Sequence, residues 1–170
     1  MNREILFRGF HPDENGSKTI TLNGEKIKGE WVEGDLIQTH LEYPDGKKEI
    51  DCEIRTRTIG VDLDSFYGGY MAGSEENVIP ETVGQYTGLT DKNGNKIFEG
   101  DTVKITDEIV NGTYYARVQF GNPNAQFNWG FQLVPMCKTP FAVEILHWCD
   151  MEESGAFIEV IGNIYEEVEK

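Results

Sequence analysis

Cysteine is scarce: Cys52, Cys137 and Cys149 are the only three in 170 residues, odd in number and widely spaced. This excludes the disulfide framework of a small secreted domain and fits reduced thiols packed as small apolar residues in a cytosolic compartment. Long apolar runs are also missing. No stretch approaches the roughly 18 residues of a membrane span, and the opening Met1-Asn2-Arg3-Glu4 lacks the apolar region of a signal peptide. The expectation is a soluble intracellular protein without a membrane partner. Positive charge is short as well, with 15 Lys+Arg against 30 Asp+Glu and a formal net charge of -15. Nucleic-acid affinity rests mainly on cationic contacts that release counterions, so the balance disfavours direct binding to phosphate backbones and makes a basic partner electrostatically easier. A plainer reading is that the acidic surplus only keeps the surface soluble.

What the sequence has is short alternating runs between turn signals. Ile5, Phe7 and Phe10 suggest an opening strand, followed by a loop over His11–Lys18. Asn23-Gly24 sits between Ile20-Thr21-Leu22 and Glu25-Lys26-Ile27, the pattern of a hairpin. Trp31-Val32 and Leu36-Ile37 straddle Gly34, which predicts a strand bent or bulged at the glycine. After the turn Tyr43-Pro44-Asp45-Gly46, Ile50, Cys52, Ile54, Thr56 and Thr58 share one strand face, with charged residues between them. The texture loosens from Gly60 to Pro80, and a division near residue 75 is expected, into N-terminal (1–75) and C-terminal (76–170) β subdomains.

Val83–Val103 is the most tightly specified stretch. Asp91-Lys92-Asn93-Gly94-Asn95 is a turn around Asn-Gly, and Glu99-Gly100-Asp101 turns again before the alternating Val103 and Ile105. Tyr114, Ala116, Val118 and Phe120 share one strand face, as do Phe127, Trp129, Phe131 and Leu133. Phe141–Cys149 fits a strand or a helix, with alternation leaning towards the strand, and Phe157–Tyr165 predicts a closing strand. The fold class is therefore mainly β with little helix, as a small SH3-like barrel or as sheet subdomains.

Gly84-Gln85-Tyr86-Thr87-Gly88-Leu89, then Asp91-Lys92-Asn93-Gly94 and Ile97-Phe98-Glu99-Gly100-Asp101, resembles the hallmark of YopX-type proteins. The opening Arg3-Glu4-Ile5-Leu6-Phe7-Arg8-Gly9 and the ending Val160-Ile161-Gly162-Asn163-Ile164-Tyr165-Glu166 are similar to that family's ends, so the likeness spans essentially the whole chain. The resemblance implies a β-rich protein encoded by bacteriophages or prophages, placed in the bacterial cytoplasm, and it carries over no catalytic residue or cofactor.

Reactive constellations are weak. His147 and Cys149 would face the same side of a strand and could hold a metal with Cys137 or Cys52, but a second close ligand pair is lacking. Cys149 activated by His147 lacks a third group to orient the base. Asp62-Leu63-Asp64 and Asp150-Met151-Glu152-Glu153 offer paired carboxylates, though such runs ordinarily face water. The Asp91 loop has the oxygen donors of a calcium loop, but Thr102 stands where its closing glutamate belongs. No metal or cofactor is expected. Arg55 and Arg57 on one strand face, and Tyr114, Tyr115 and Arg117, are the candidates for a nucleic-acid surface.

These readings lead to a non-enzymatic phage accessory protein that self-associates and binds a phage or host protein. Gln85, Tyr86 and Thr87 remain as partner-binding candidates once turn geometry and a buried face have accounted for their neighbours. The alternative is a nucleic-acid transaction role, by direct binding or by acidic mimicry of DNA.

Overall fold

Short alternating runs punctuated by glycine satisfy their backbone polar groups most readily by antiparallel pairing with a neighbour in sequence. The computed structural model describes residues 4–56, 60–61, 70–71, 73–107, 112–122, 129–136, 143–144 and 156–166, and within them the chain is mainly β. It divides into two compact units, Ile5–Gly84 and the part from Gln85 onward.

The first unit holds β1 (Phe7–Pro12), β2 (Lys18–Leu22), β3 (Glu25–Glu42), β4 (Lys48–Thr56), the two-residue β5 (Gly60–Val61) and β6 (Tyr70–Met71), and β7 (Glu75–Val78). The sheet runs β7-β4-β3-β1, with β2 on β3, while β5 and β6 pair with each other. β3 serves three partners in turn: β2 along Glu25–Gly29, β1 along Gly29–Gly34 and β4 along Gly34–Glu42. Gly29 and Gly34 stand at the two hand-overs. A Cβ on Gly29 would lie 2.1 Å from the His11 carbonyl oxygen, and one on Gly34 would lie 2.0 Å from that of Arg55. The β1 register ends at Gly34 and the β4 register begins there, neither with the slip of a bulge, and close backbone approach explains the glycine.

The turns follow their sequence signals, with positive φ at Asn23 and Gly24 between β2 and β3 and at Gly46 between β3 and β4. The loop expected from His11 starts later. β1 continues through Pro12, and the His11 ring donates through Nδ1 to the Asn77 carbonyl at 2.8 Å. Cys52, Ile54 and Val78 form a buried cluster against Phe7, Val32 and Leu36. Beyond β7, the short 3-10 turn η1 (Pro80–Thr82) is fastened to β1: Thr82 Oγ1 accepts from Phe10 N at 2.9 Å, and Ile79 N donates to Phe10 O.

The second unit opens with a hairpin of β8 (Gly84–Thr90) and β9 (Lys96–Phe98). It continues as a sheet of β10 (Asp101–Asp107), β11 (Gly112–Gly121), β12 (Gly130–Pro135), β13 (Val143–Glu144) and β14 (Ala156–Asn163), ordered β13-β12-β11-β10-β14. The registers place Val103 opposite Ala116 and Val118 opposite Leu133, so their side chains share one face and form a core with Ile97, Ile105 and Ile158.

Among the described residues both larger sheets are open, so sheet subdomains rather than closed SH3-like barrels describe the molecule. β7 pairs with β4 from Arg55↔Glu75 to Cys52↔Val78, which ties these residues to the first unit, and the two units divide after Gly84, later than the textural break near residue 75. Within 141–149 only Val143–Glu144 is described, as a strand on Gln132 and Leu133. No helix among the described residues is long and apolar enough to cross a membrane.

Candidate interaction surfaces

The Val83–Val103 stretch gives most of its polar side chains to the fold. Asp91 Oδ1 accepts from the backbone N–H groups of Asn93 and Asn95, both at 2.8 Å, and Oδ2 accepts from Asn95 Nδ2 at 3.1 Å and Val160 N at 3.0 Å. Burial would push this carboxyl up, but the bonds from Val160, Asn95 and Asn93 outweigh it and hold the pKa below the usual carboxylate range. Lys92 N donates to Ile158 O, so the turn covers the outer edge of β14, and Lys92 Nζ pairs with Glu159 at 2.7 Å. Buried Asp101 accepts from Phe98 N at 2.8 Å, and Asn163 Nδ2 approaches its other oxygen at 3.5 Å. The Gly100-Asp101 and Asn163-Ile164-Tyr165 pieces, distant in sequence, are thus one packing unit, closed by Ile164 N donating to Gly100 O.

Of the three partner-binding candidates, Tyr86 is 7% exposed and Thr87 6%. The Tyr86 ring lies 5.5 Å from that of Phe98, and Thr87 Oγ1 donates to Ile97 O at 2.9 Å and accepts from Leu89 N. Gln85 is half-buried, and its carbonyl accepts from Glu99 N. Little of Tyr86 or Thr87 is therefore left for a partner to touch.

Other candidates are scattered. Cys52 is buried and free, with Gln38 Nε2 donating towards its sulfur at 3.8 Å. Cys137, His147, Cys149, Asp62, Asp64, Asp150, Glu152, Glu153 and Arg57 lie outside the described residues. Among the described residues no three His, Cys, Asp or Glu side chains gather as metal ligands. Arg55 Nε donates to Glu75 at 2.8 Å. Tyr114 and Tyr115, adjacent on β11, point to opposite faces, so only Tyr115 shares a face with Arg117.

Among the described residues, apolar side chains lie open in each unit. In the second unit Gly121 pairs with Gly130 at the end of β11 and β12, flanked by Phe120, 50% exposed, and Trp129, 79% exposed. Trp129 precedes β12 instead of joining its buried face as the alternation suggested, and Phe127 lies outside the described residues. In the first unit Leu41, Tyr43, Ile50 and Pro80 border an open groove of about 790 Å³ with Glu49, Asp51 and Glu81. Tyr43 Oη donates to Glu49 Oε2 at 2.9 Å. Hydrogen bonds from Lys47 and Tyr43 lower the Glu49 pKa, and the bond to Glu49 raises that of Tyr43. Strand periodicity put Ile50 on the Cys52–Ile54 face but could not show that cover stops short of it.

The family model described as YopX protein matches residues 24–170. The chain belongs to the YopX family. No curated protein matches it. The YopX match includes both fastened pieces, Gly100-Asp101 and Asn163-Ile164-Tyr165, whose residues hold β10 to β14.

Proposed function

We propose that this YopX family member is a non-enzymatic interaction protein that self-associates, acting as a phage or prophage accessory factor in the cytoplasm of a bacterial host. The observation that carries the reading is the aromatic tip at Phe120 and Trp129. Large apolar side chains exposed together mark contact surfaces. Phe120-Gly121-Asn122 and Trp129-Gly130 contain no ionisable side chain of their own, so these two segments add no like charge to a contact between copies. The Glu99 carboxylate accepts from Phe120 N at 3.2 Å. A two-fold contact, the commonest way for copies to pair, requires such a self-compatible patch.

The non-enzymatic part is supported by how buried carboxylates are used. Asp91 and Asp101, the buried acidic groups of the motif, receive backbone N–H donors and serve turn and strand geometry. The rival nucleic-acid reading has less support, because Arg55 is bound to Glu75 and Tyr114 is turned away from Arg117.

Sedimentation velocity of Trp129→Glu beside the wild type tests the tip. The exposed position leaves the fold intact, and the added charge opposes pairing, so the variant sediments more slowly at equal concentration. Equal sedimentation would contradict this interface.

A further inference from the structure

β7 covers only part of the outer edge of β4. Thr56 N donates to Ser74 O, which fixes the direction of alternate backbone groups along β4: those of Ile54, Cys52, Ile50 and Lys48 point to that same edge. The β7 register ends at Cys52↔Val78. Ile79 then turns its N–H to Phe10 O, and Pro80 has none to offer, so β7 cannot continue alongside Ile50. No described strand runs along Lys48–Asp51 on this side.

This edge borders the groove, where Leu41, Tyr43, Ile50 and Pro80 supply apolar surface and Ile50 is 49% exposed. Glu49, Asp51 and Glu81 line it with carboxylates, and Lys47 pairs with Glu49. The geometry points to a docking site for a basic extended peptide, added as a strand along Ile50 of β4. Its main chain bonds to Ile50 N–H and C=O, alternate apolar side chains enter the groove, and intervening Lys or Arg face the carboxylates. A second copy fits poorly, because pairing the same edges would set Glu49, Asp51 and Glu81 against their own counterparts.

The site rests on the interaction-protein reading but not on self-association. A chain that scatters as a monomer and still binds the peptide would overturn self-association and keep this site.

Fluorescence polarisation tests it, using the full chain at low salt and a labelled eight-residue peptide alternating lysine and valine, beside a glutamate and valine control. The basic peptide binds at least about tenfold tighter than the control, and salt weakens it. The doubly reversed variant Asp51→Lys with Glu81→Lys loses about tenfold or more in affinity. Ile50→Pro, which removes the edge donor, loses binding with an unchanged circular-dichroism spectrum; should it fail to fold, the charge-reversed variant decides. No binding, equal binding of both peptides, or indifference to charge reversal overturns the proposal. So does absence of binding with an Ile50→Pro variant that lowers the wild-type assembly's mass, which would assign the edge to a second copy.

Discussion

Asp91 shows how one side chain can hold a sheet edge and a turn together. Its four accepted hydrogen bonds join the β8–β9 turn to Val160 of β14. Asp91→Ala leaves those donors without their acceptor and should cost about 2–4 kcal/mol in urea unfolding at neutral pH. Because the folded pKa is depressed, the ionised carboxylate's contribution is fully present above the unfolded value and is lost as pH falls through the folded one. The stability gap between wild type and variant should therefore shrink as acid unfolding is approached. A gap that stays constant or widens on acidification would contradict the ionised-acceptor role. The turn itself was legible from Asp91 to Asn95, but the bond to Val160 spans 69 positions, and local spacing carries no sign of it. For the same reason Tyr86 and Thr87 looked available: what covers them is Phe98 and Ile97, brought opposite by a hairpin with a register shift between Tyr86 and Thr90.

At the scale of elements, β3 organises the first unit by handing its pairing from one partner to the next at Gly29 and Gly34. Two kinds of glycine follow from this geometry. At Gly34 an added Cβ meets the Arg55 carbonyl oxygen at 2.0 Å, and at Gly46 it meets nothing within 4 Å but must tolerate φ of +83°. Gly34→Ala should therefore destabilise by about 2–4 kcal/mol through overpacking, whereas Gly46→Ala should cost about 1–2 kcal/mol through left-handed strain. Thermal or urea unfolding ranks them, and equal costs would contradict the close-approach account. Gly46 could be understood from its Pro-Asp-Gly turn, whereas the close approach at Gly34 could not, because the neighbour that forbids its side chain comes from Arg55 on another strand. Ile50 carries the same lesson from the other side. Its alternation with Cys52 and Ile54 is real, yet β7 ends its pairing at Cys52 and leaves Ile50 in the open.

For the whole molecule, the mainly β class was legible because glycine punctuation and two-residue alternation recur throughout the sequence. Sheet closure was not legible, since whether a sheet curls into a barrel depends on strand order and tilt that no local pattern fixes. The YopX hallmark marks a framework: its glycines turn the chain, and Asp91 and Asp101 receive backbone donors. The surfaces proposed for partners lie elsewhere, at the exposed Phe120 and Trp129 in one unit and beside Ile50 in the other. The central claim, that the protein acts by self-association, is tested most directly by light scattering of the wild-type chain across a concentration series. The account predicts a mass that rises with concentration to a whole multiple of one chain; a strict monomer at the highest concentration would contradict it.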